Sequence, residues 1–325
     1  MDSYREKVLL TGASGFVGDA VLHDLSRRGL FDLRVATRNQ NTFSGMAFES
    51  VLFNGLNAEQ NWTQALEGVD LVVHCAARVH IMKDLAADSM TEFRRVNVDG
   101  TLNLALQAAA AGVKRFIFIS SVKVNGEGTP LGIPYTADSA ASPVDEYGIS
   151  KLEAETGLLE IAAKTSMQVV IIRPVLVYGP GVKANFLSMM RVVEKGIPLP
   201  FGRINNKRSL LSLDNLVDFI FHCMIHPAAA NQVFLVSDGE DLSTTELLRK
   251  IASAMGKKSR LLPVPVGLLR LIARIFGQQK LADRLCGSLQ VDIKKNKELL
   301  GWVPPLSIDD ALIKTAKYFQ GSRNQ

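Results

Sequence analysis

Lys7-Val8-Leu9-Leu10-Thr11-Gly12-Ala13-Ser14-Gly15-Phe16-Val17-Gly18 is a short apolar run that breaks at the first of three glycines, each three residues from the next. So short an apolar run, closed by glycine, reads as a strand buried on both faces of a parallel sheet. The residues that follow change period. Val17, Val21, Leu22 and Leu25 fall on one helical face, and Gly29 ends the helix read over Gly15 to Arg28. A strand, a glycine turn and a helix in that order form an anion cradle. Gly12 and Gly15 let the backbone turn tightly and approach a pyrophosphate, Gly18 lets helix and strand close together, and the helix start offers free amide hydrogens. Ser14, Phe16 and Val17 belong to the same turn. The spacing is G-x-x-G-x-x-G rather than G-x-G-x-x-G.

Moving outward, Leu33–Thr37, Val69–Cys75, Arg115–Ser120 and Gln168–Arg173 read as further strands, with helical patterns at Val98–Ala111 and Tyr147–Ala163 between them. This alternation predicts an α/β fold: a doubly wound, Rossmann-type parallel sheet with helices on both faces. After Pro174 the elements shorten and prolines recur at 180, 198, 200, 263, 265, 304 and 305. We therefore expect a dinucleotide-binding domain over 1–178, to which about 211–240 returns, and a smaller mixed α/β substrate domain over most of 179–325.

Composition narrows the function. An apolar share of 47% and a charged share of 21% over 325 residues suit a globular enzyme and exclude disordered and fibrous classes. Cys75, Cys223 and Cys286 have no paired spacing and read as buried thiols in a reducing compartment, while the charged start Met1–Lys7 lacks a signal-peptide pattern. A cytoplasmic location is expected. The net charge of +5 is spread along the chain, which argues against nucleic acid and for an anionic small substrate. Leu261 to Phe276 is apolar but carries two prolines and two arginines, short of the roughly 20 uninterrupted residues of a spanning helix. Residues 266–276 are expected to form a buried or interface helix, with membrane-surface contact as the less favoured alternative.

Two further features bear on chemistry. Thr37-Arg38 stands where a carboxylate would hold the adenosine ribose of NAD, and Arg38 could pair instead with a 2′-phosphate. NADP(H) is therefore favoured, with NAD(H) possible. Ala76 and Ala77 would lie by the pyrophosphate, and Asp70 would face the adenine end or serve in a turn. Tyr147 and Lys151 share a helix face at i and i+4, so an ammonium lies near a phenol and favours its ionised form. Ser120-Ser121, at a strand end in the same sheet, could orient the substrate oxygen that gains or loses the proton.

These motifs, with His74-Cys75-Ala76-Ala77, Asn97-Val98-Asp99-Gly100-Thr101, Ser120–Gly126, Arg173-Pro174 and Tyr178-Gly179-Pro180-Gly181, run almost end to end. In them the chain resembles the extended short-chain dehydrogenase/reductases of the nucleotide-sugar epimerase/dehydratase type. The resemblance implies Ser121, Tyr147 and Lys151 as catalytic residues, Tyr147, Lys151, Asn97 and Pro174 beside the cofactor, with Lys151 also able to bond the nicotinamide ribose, and a homodimer through the helices around 98–111 and 147–163. The chain departs from the pattern at Thr37, where an acid is missing, and at Gly55, where an aspartate is common. The resemblance also implies a nucleoside-diphosphate substrate under the C-terminal domain, near Asn185 and Arg208, with Asp292 and Ser288 as weaker contacts; Asp214-Asn215 opens the next helix. Lys123 and Asn125 would lie near the sugar.

The segment 120–127 resembles bacterial proteins of surface-polysaccharide and O-antigen synthesis. The reading favoured here is NAD(P)H-dependent reduction of a UDP-4-keto-6-deoxy-N-acetylhexosamine. The alternative is a UDP-hexose or UDP-N-acetylhexosamine 4-epimerase; more distant ones are a ketone reductase and a non-catalytic nicotinamide sensor. The choice of reduction rests on Thr37-Arg38 alone. His222 and His226 have helical metal-pair spacing but no third ligand, so no metal is expected. Ser120-Ser121 lacks the setting of a hydrolase nucleophile.

Overall fold

The computed structural model describes residues 5–39, 48–79 and 88–322. Among these described residues ten strands occur in chain order: β1 (Lys7–Thr11), β2 (Asp32–Thr37), β3 (Glu49–Leu52), β4 (Leu71–His74), β5 (Arg115–Ile119), β6 (Gln168–Pro174), β7 (Leu176–Tyr178), β8 (Arg208–Ser212), β9 (Gln232–Val236) and β10 (Asp241–Leu242). Seven of them form one parallel sheet in the order β3-β2-β1-β4-β5-β6-β9. The order reverses between β1 and β4, the point where open α/β sheets leave a crevice at their carboxyl ends. The predicted Rossmann-type sheet is therefore present.

Strand β1 shows why the apolar run forms the centre. Its side chains alternate faces. Val8 and Leu10 pack with the helix Phe16–Arg28 and the helix Leu213–Ile225, whereas Leu9 packs with Gly100–Ala110 and Glu146–Lys164 on the other face. All three are fully buried. β9 extends this sheet beyond β6, and Leu300 and Trp302 pack into the layer containing Leu213–Ile225.

The smaller C-terminal region holds the sheet β10-β8-β7, with β8 parallel to β7 and antiparallel to β10. Around it the helices Ala184–Glu194, Thr244–Ala254 and Ile308–Gly321 enclose a third core containing Phe186, Leu248 and Phe319. Among the described residues no helix is long and apolar enough to cross a membrane.

Three sequence expectations need adjustment. β3 is absent from the sequence reading because only Val51 of its four residues is buried, so it shows little apolar pattern. The helix expected from Val98 begins at Ser89 and passes through a π-helical stretch, Arg94–Asp99, before Gly100–Ala110. Residues 266–276 are not a buried helix: the helix Val266–Ile275 has no buried residue.

Candidate active site

The glycine turn explains its own composition. Gly12 adopts φ 77°, and a Cβ there would lie 2.5 Å from the Ala76 amide nitrogen. At Gly18 a Cβ would lie 2.2 Å from the Gly12 carbonyl oxygen, so the third glycine sets the helix-to-strand approach. Gly15 caps the helix Phe16–Arg28 without a side-chain hydrogen bond, and its own Cβ would meet only the Gly12 oxygen, at 3.2 Å. The turn is thus closed towards β4 and open at the helix start, as a pyrophosphate cradle requires. Ser14 and Gly15 are exposed, and Phe16, Val17, Ala76 and Ala77 half-buried around it.

Arg38 is exposed just beyond β2, and among the described residues no carboxylate pairs with it. The buried Thr37 hydroxyl donates to the Asn39 carbonyl at 3.0 Å. Asp70 precedes β4, accepting from the Lys7 amide at 2.9 Å and lying 3.0 Å from the Lys114 ammonium. That is the amino end of the strands, so Asp70 is a structural turn residue away from the crevice.

The loop after β4 is held by Asn97. Its Oδ1 accepts from the Arg78 amide at 2.7 Å, and its Nδ2 donates to the Arg78 carbonyl at 3.1 Å and to Ser150 Oγ at 3.0 Å. The π-helical turn rotates this buried side chain inward, a device frequent at functional sites. Pro174 is buried at the end of β6 beside Val236.

The helix carrying Tyr147 and Lys151 starts at an Asp145 cap, which accepts from the Gly148 amide at 2.8 Å. Lys151 is almost wholly buried; its ammonium donates to the Ile119 carbonyl at 2.8 Å and lies 4.3 Å from the Phe118 ring centre and 5.9 Å from that of Tyr147. Burial pulls its pKa down to about 8, opposed by the charges of Glu155 and Cys75. Tyr147 is half-buried, edge-on to Phe93 with ring centres 6.3 Å apart. Its phenol is pushed well above the usual tyrosine range, first by burial and then by the Asp145 charge. In the protein alone, burial and the Asp145 charge therefore set the direction, contrary to the sequence expectation that the lysine would lower it.

The two serines divide their labour. Ser120 is buried and its hydroxyl bonds Glu155, whereas Ser121 is half-buried and its Oγ accepts from the Lys123 amide at 3.2 Å, leaving its proton free to donate. Glu155 also receives Arg173, with contacts of 2.5, 3.0 and 3.1 Å. The sequence reading missed Glu155, although it follows Lys151 by four positions on the same helix face.

His74 sits behind this set, its Nδ1 2.7 Å from Thr11 Oγ1 and its Nε2 3.0 Å from Thr101 Oγ1. Burial, then the Lys151 charge, lowers its pKa to about 3 from 6.5. The unfolded chain binds this proton below pH 6.5 and the folded one does not, so folded stability falls as pH drops from 6.5 towards 3. Denaturation midpoints across that range should show a shallower acid loss in His74→Gln than in the wild type.

The residues expected at the substrate fare differently. Lys123 pairs with Asp145, and its ammonium is 3.8 Å from Glu127. Asn125 is fully buried, its Oδ1 accepting from Arg173 at 3.2 Å while its Nδ2 has no hydrogen-bond partner. Asp292 caps a turn, accepting from the Lys294 amide at 2.7 Å. Arg208 is half-buried and donates to the Arg284 and Gly287 carbonyls at 3.0 and 3.1 Å, contacts that would have to open before it gripped a phosphate. Ser288 accepts from the Lys207 amide at 3.0 Å, and Asn215 bonds Asp238 and the Leu306 carbonyl. Asn185 is exposed in the first turn of the helix Ala184–Glu194. His222 and His226 stack with ring centres 5.8 Å apart, and no metal-holding cluster occurs among the described residues.

A crevice at the sheet's switch point, with a glycine cradle on one side and a tyrosine–lysine helix on the other, defines a Rossmann-type enzyme of the extended short-chain dehydrogenase/reductase class. Residues 8–237 match the NAD dependent epimerase/dehydratase family, and the chain belongs to that family. It is 50% identical to a UDP-glucose 4-epimerase of Vibrio cholerae, over 98% of this chain and 97% of that one. It is 29% identical to the N-acetyl-alpha-D-glucosaminyl-diphospho-ditrans,octacis-undecaprenol 4-epimerase of Escherichia coli O157:H7, over 97% of this chain and 95% of the relative. Among solved structures, UDP-glucuronic acid 4-epimerase from Bacillus cereus in complex with NAD superposes with a TM-score of 0.77, at 20% identity and covering 97% and 99% of the two chains.

Proposed function

We propose that this protein is a nucleotide-sugar 4-epimerase acting on a UDP-hexose or UDP-N-acetylhexosamine. The observation that carries the reading is the end-to-end 50% identity to a UDP-glucose 4-epimerase, in a chain that keeps Ser121, Tyr147 and Lys151 around one crevice. The sequence alone favoured net reduction of a 4-keto sugar, on the strength of Thr37-Arg38. The relatives named for 4-epimerisation outweigh that one position. The 29% relative, named for an N-acetylated sugar, supports including N-acetylhexosamines.

The cradle of Gly12, Gly15 and Gly18, with Ser14, Phe16, Val17, Ala76 and Ala77, fits a dinucleotide pyrophosphate, with Asn97 fixing the loop and Pro174 closing the far side. When bound, the nicotinamide supplies a reversible two-electron hydride acceptor, so that C4 can become a ketone and be rebuilt with either configuration. Tyr147 takes the O4 proton as C4 is oxidised and returns it on reduction. Ser121 donates a hydrogen bond to O4 and holds it beside the phenol. A charged Lys151 beside the ring favours the phenolate, against the burial that raises the phenol. Asn185 and a released Arg208 would meet the diphosphate. NAD is the cofactor this reading favours, consistent with the family and with the Bacillus cereus structure; Arg38 leaves room for NADP. We include a homodimer through Gly100–Ala110 and Glu146–Lys164, which expose Leu106 and Leu159.

One experiment tests the reading. Purified protein is incubated with UDP-glucose and with UDP-N-acetylglucosamine, without added nicotinamide, and the dinucleotide released on denaturation is identified. Formation of the galacto isomer is the expected result. Inert UDP-sugars, together with NAD(P)H consumption on a UDP-4-keto sugar, would return the assignment to a reductase.

A further inference from the structure

The helix Val266–Ile275 is apolar on the side that faces away from the protein. Val266, Leu269 and Ala273, spaced three and four apart, are half-buried and form its inner side. Leu268, Leu271, Ile272 and Ile275 form a second stripe, which continues into Phe276, and all five are exposed, Ile275 and Phe276 by 72% and 73%. A helix face meant for water would carry polar residues there.

The helix is held out by a rigid neighbour. At the carboxyl end of Gln279–Cys286, the Leu285 carbonyl accepts from Thr244 Oγ1 at 2.6 Å and the Gly287 carbonyl from Asn206 Nδ2 at 2.7 Å. The apolar stripe is thus presented by a clamped support rather than left over from a fraying end.

We propose that this face docks the protein on an anionic lipid surface, with the helix lying in the plane of the membrane. This goes beyond 4-epimerisation and does not depend on it. The charge around the stripe identifies the partner. Arg270, Arg274, Lys280 and Arg284 are all exposed, against the single acid Asp283 in the whole of 266–286. Arg270 and Arg274 lie to one side of the stripe and, with Leu271, Gln279, Ala282 and Asp283, line a notch of about 200 Å³. Long arginine side chains can seat an apolar face among acyl chains while their heads remain with phosphates. A second copy of this chain fits less well. A two-fold contact through the same stripe would bring like-charged arginine rims together.

The test is flotation of the full chain with vesicles of phosphatidylglycerol and phosphatidylethanolamine, compared with phosphatidylcholine alone, at low and high salt. Binding to the anionic vesicles, reduced by salt, is expected. The double substitution Leu271→Glu, Ile275→Glu should abolish it with an unchanged thermal midpoint, and Arg270→Glu, Arg274→Glu should weaken it roughly thirtyfold or more. The proposal is overturned if the wild type fails to float with anionic vesicles, or if the Leu271→Glu, Ile275→Glu protein floats equally well. It is equally overturned if that variant instead turns a larger species into a smaller one in sedimentation, which would give the face to a second copy. None of these readouts uses turnover, so their failure leaves the 4-epimerase reading standing.

Discussion

Tyr147→Phe is expected to lower turnover of the UDP-sugar by about 10²- to 10⁴-fold, the usual contribution of a positioned general acid–base group. The ring keeps its place, because its described aromatic contact is edge-on to Phe93 and needs no hydroxyl. Dinucleotide content and thermal midpoint should therefore match the wild type. The loss should fall on kcat, since the phenol moves a proton rather than holding the nucleotide. A variant that retains most of its activity with the dinucleotide bound would remove Tyr147 from the chemistry. A variant that loses its dinucleotide would instead assign the side chain to cofactor binding.

How far the sequence could carry this is clearest in individual residues. The glycine turn was legible because each glycine answers a local demand: a positive φ at Gly12, and a backbone approach at Gly18 that no Cβ survives. Tyr147 and Lys151 were legible because helical spacing fixes their common face. Strand β3 was not, since a four-residue strand with only Val51 buried carries almost no period. Lys123 and Asn125 stand just after β5, as the sequence placed them, but what they bond was not legible. Their partners, Asp145 and Arg173, lie 22 and 48 residues further on, and only the folded chain brings them together. Arg208 shows the same limit, with bonds to carbonyls 76 and 79 positions away. Asp70 stood at the correct strand but at its opposite end.

Glu155 and Arg173 make the second large effect. Both are buried and joined by contacts of 2.5, 3.0 and 3.1 Å, so Arg173→Met should cost about 3–5 kcal/mol of stability by leaving a carboxylate unpaired. The loss would be read from the denaturant midpoint, and adding Glu155→Leu should restore part of it, because the stranded charge is then gone. Glu155→Gln isolates a second consequence. Burial lowers the pKa of Lys151 and the Glu155 charge raises it, the balance standing at about 8. Lys151 supports the phenolate only while charged, so the rate should fall as pH rises through that value. Without the carboxylate the ammonium is lost at lower pH, and the alkaline limb of kcat should move down in Glu155→Gln relative to the wild type at equal dinucleotide loading. A purely structural pair would lower the denaturant midpoint and leave that limb where it was, and an unmoved limb would confine Glu155 to the core.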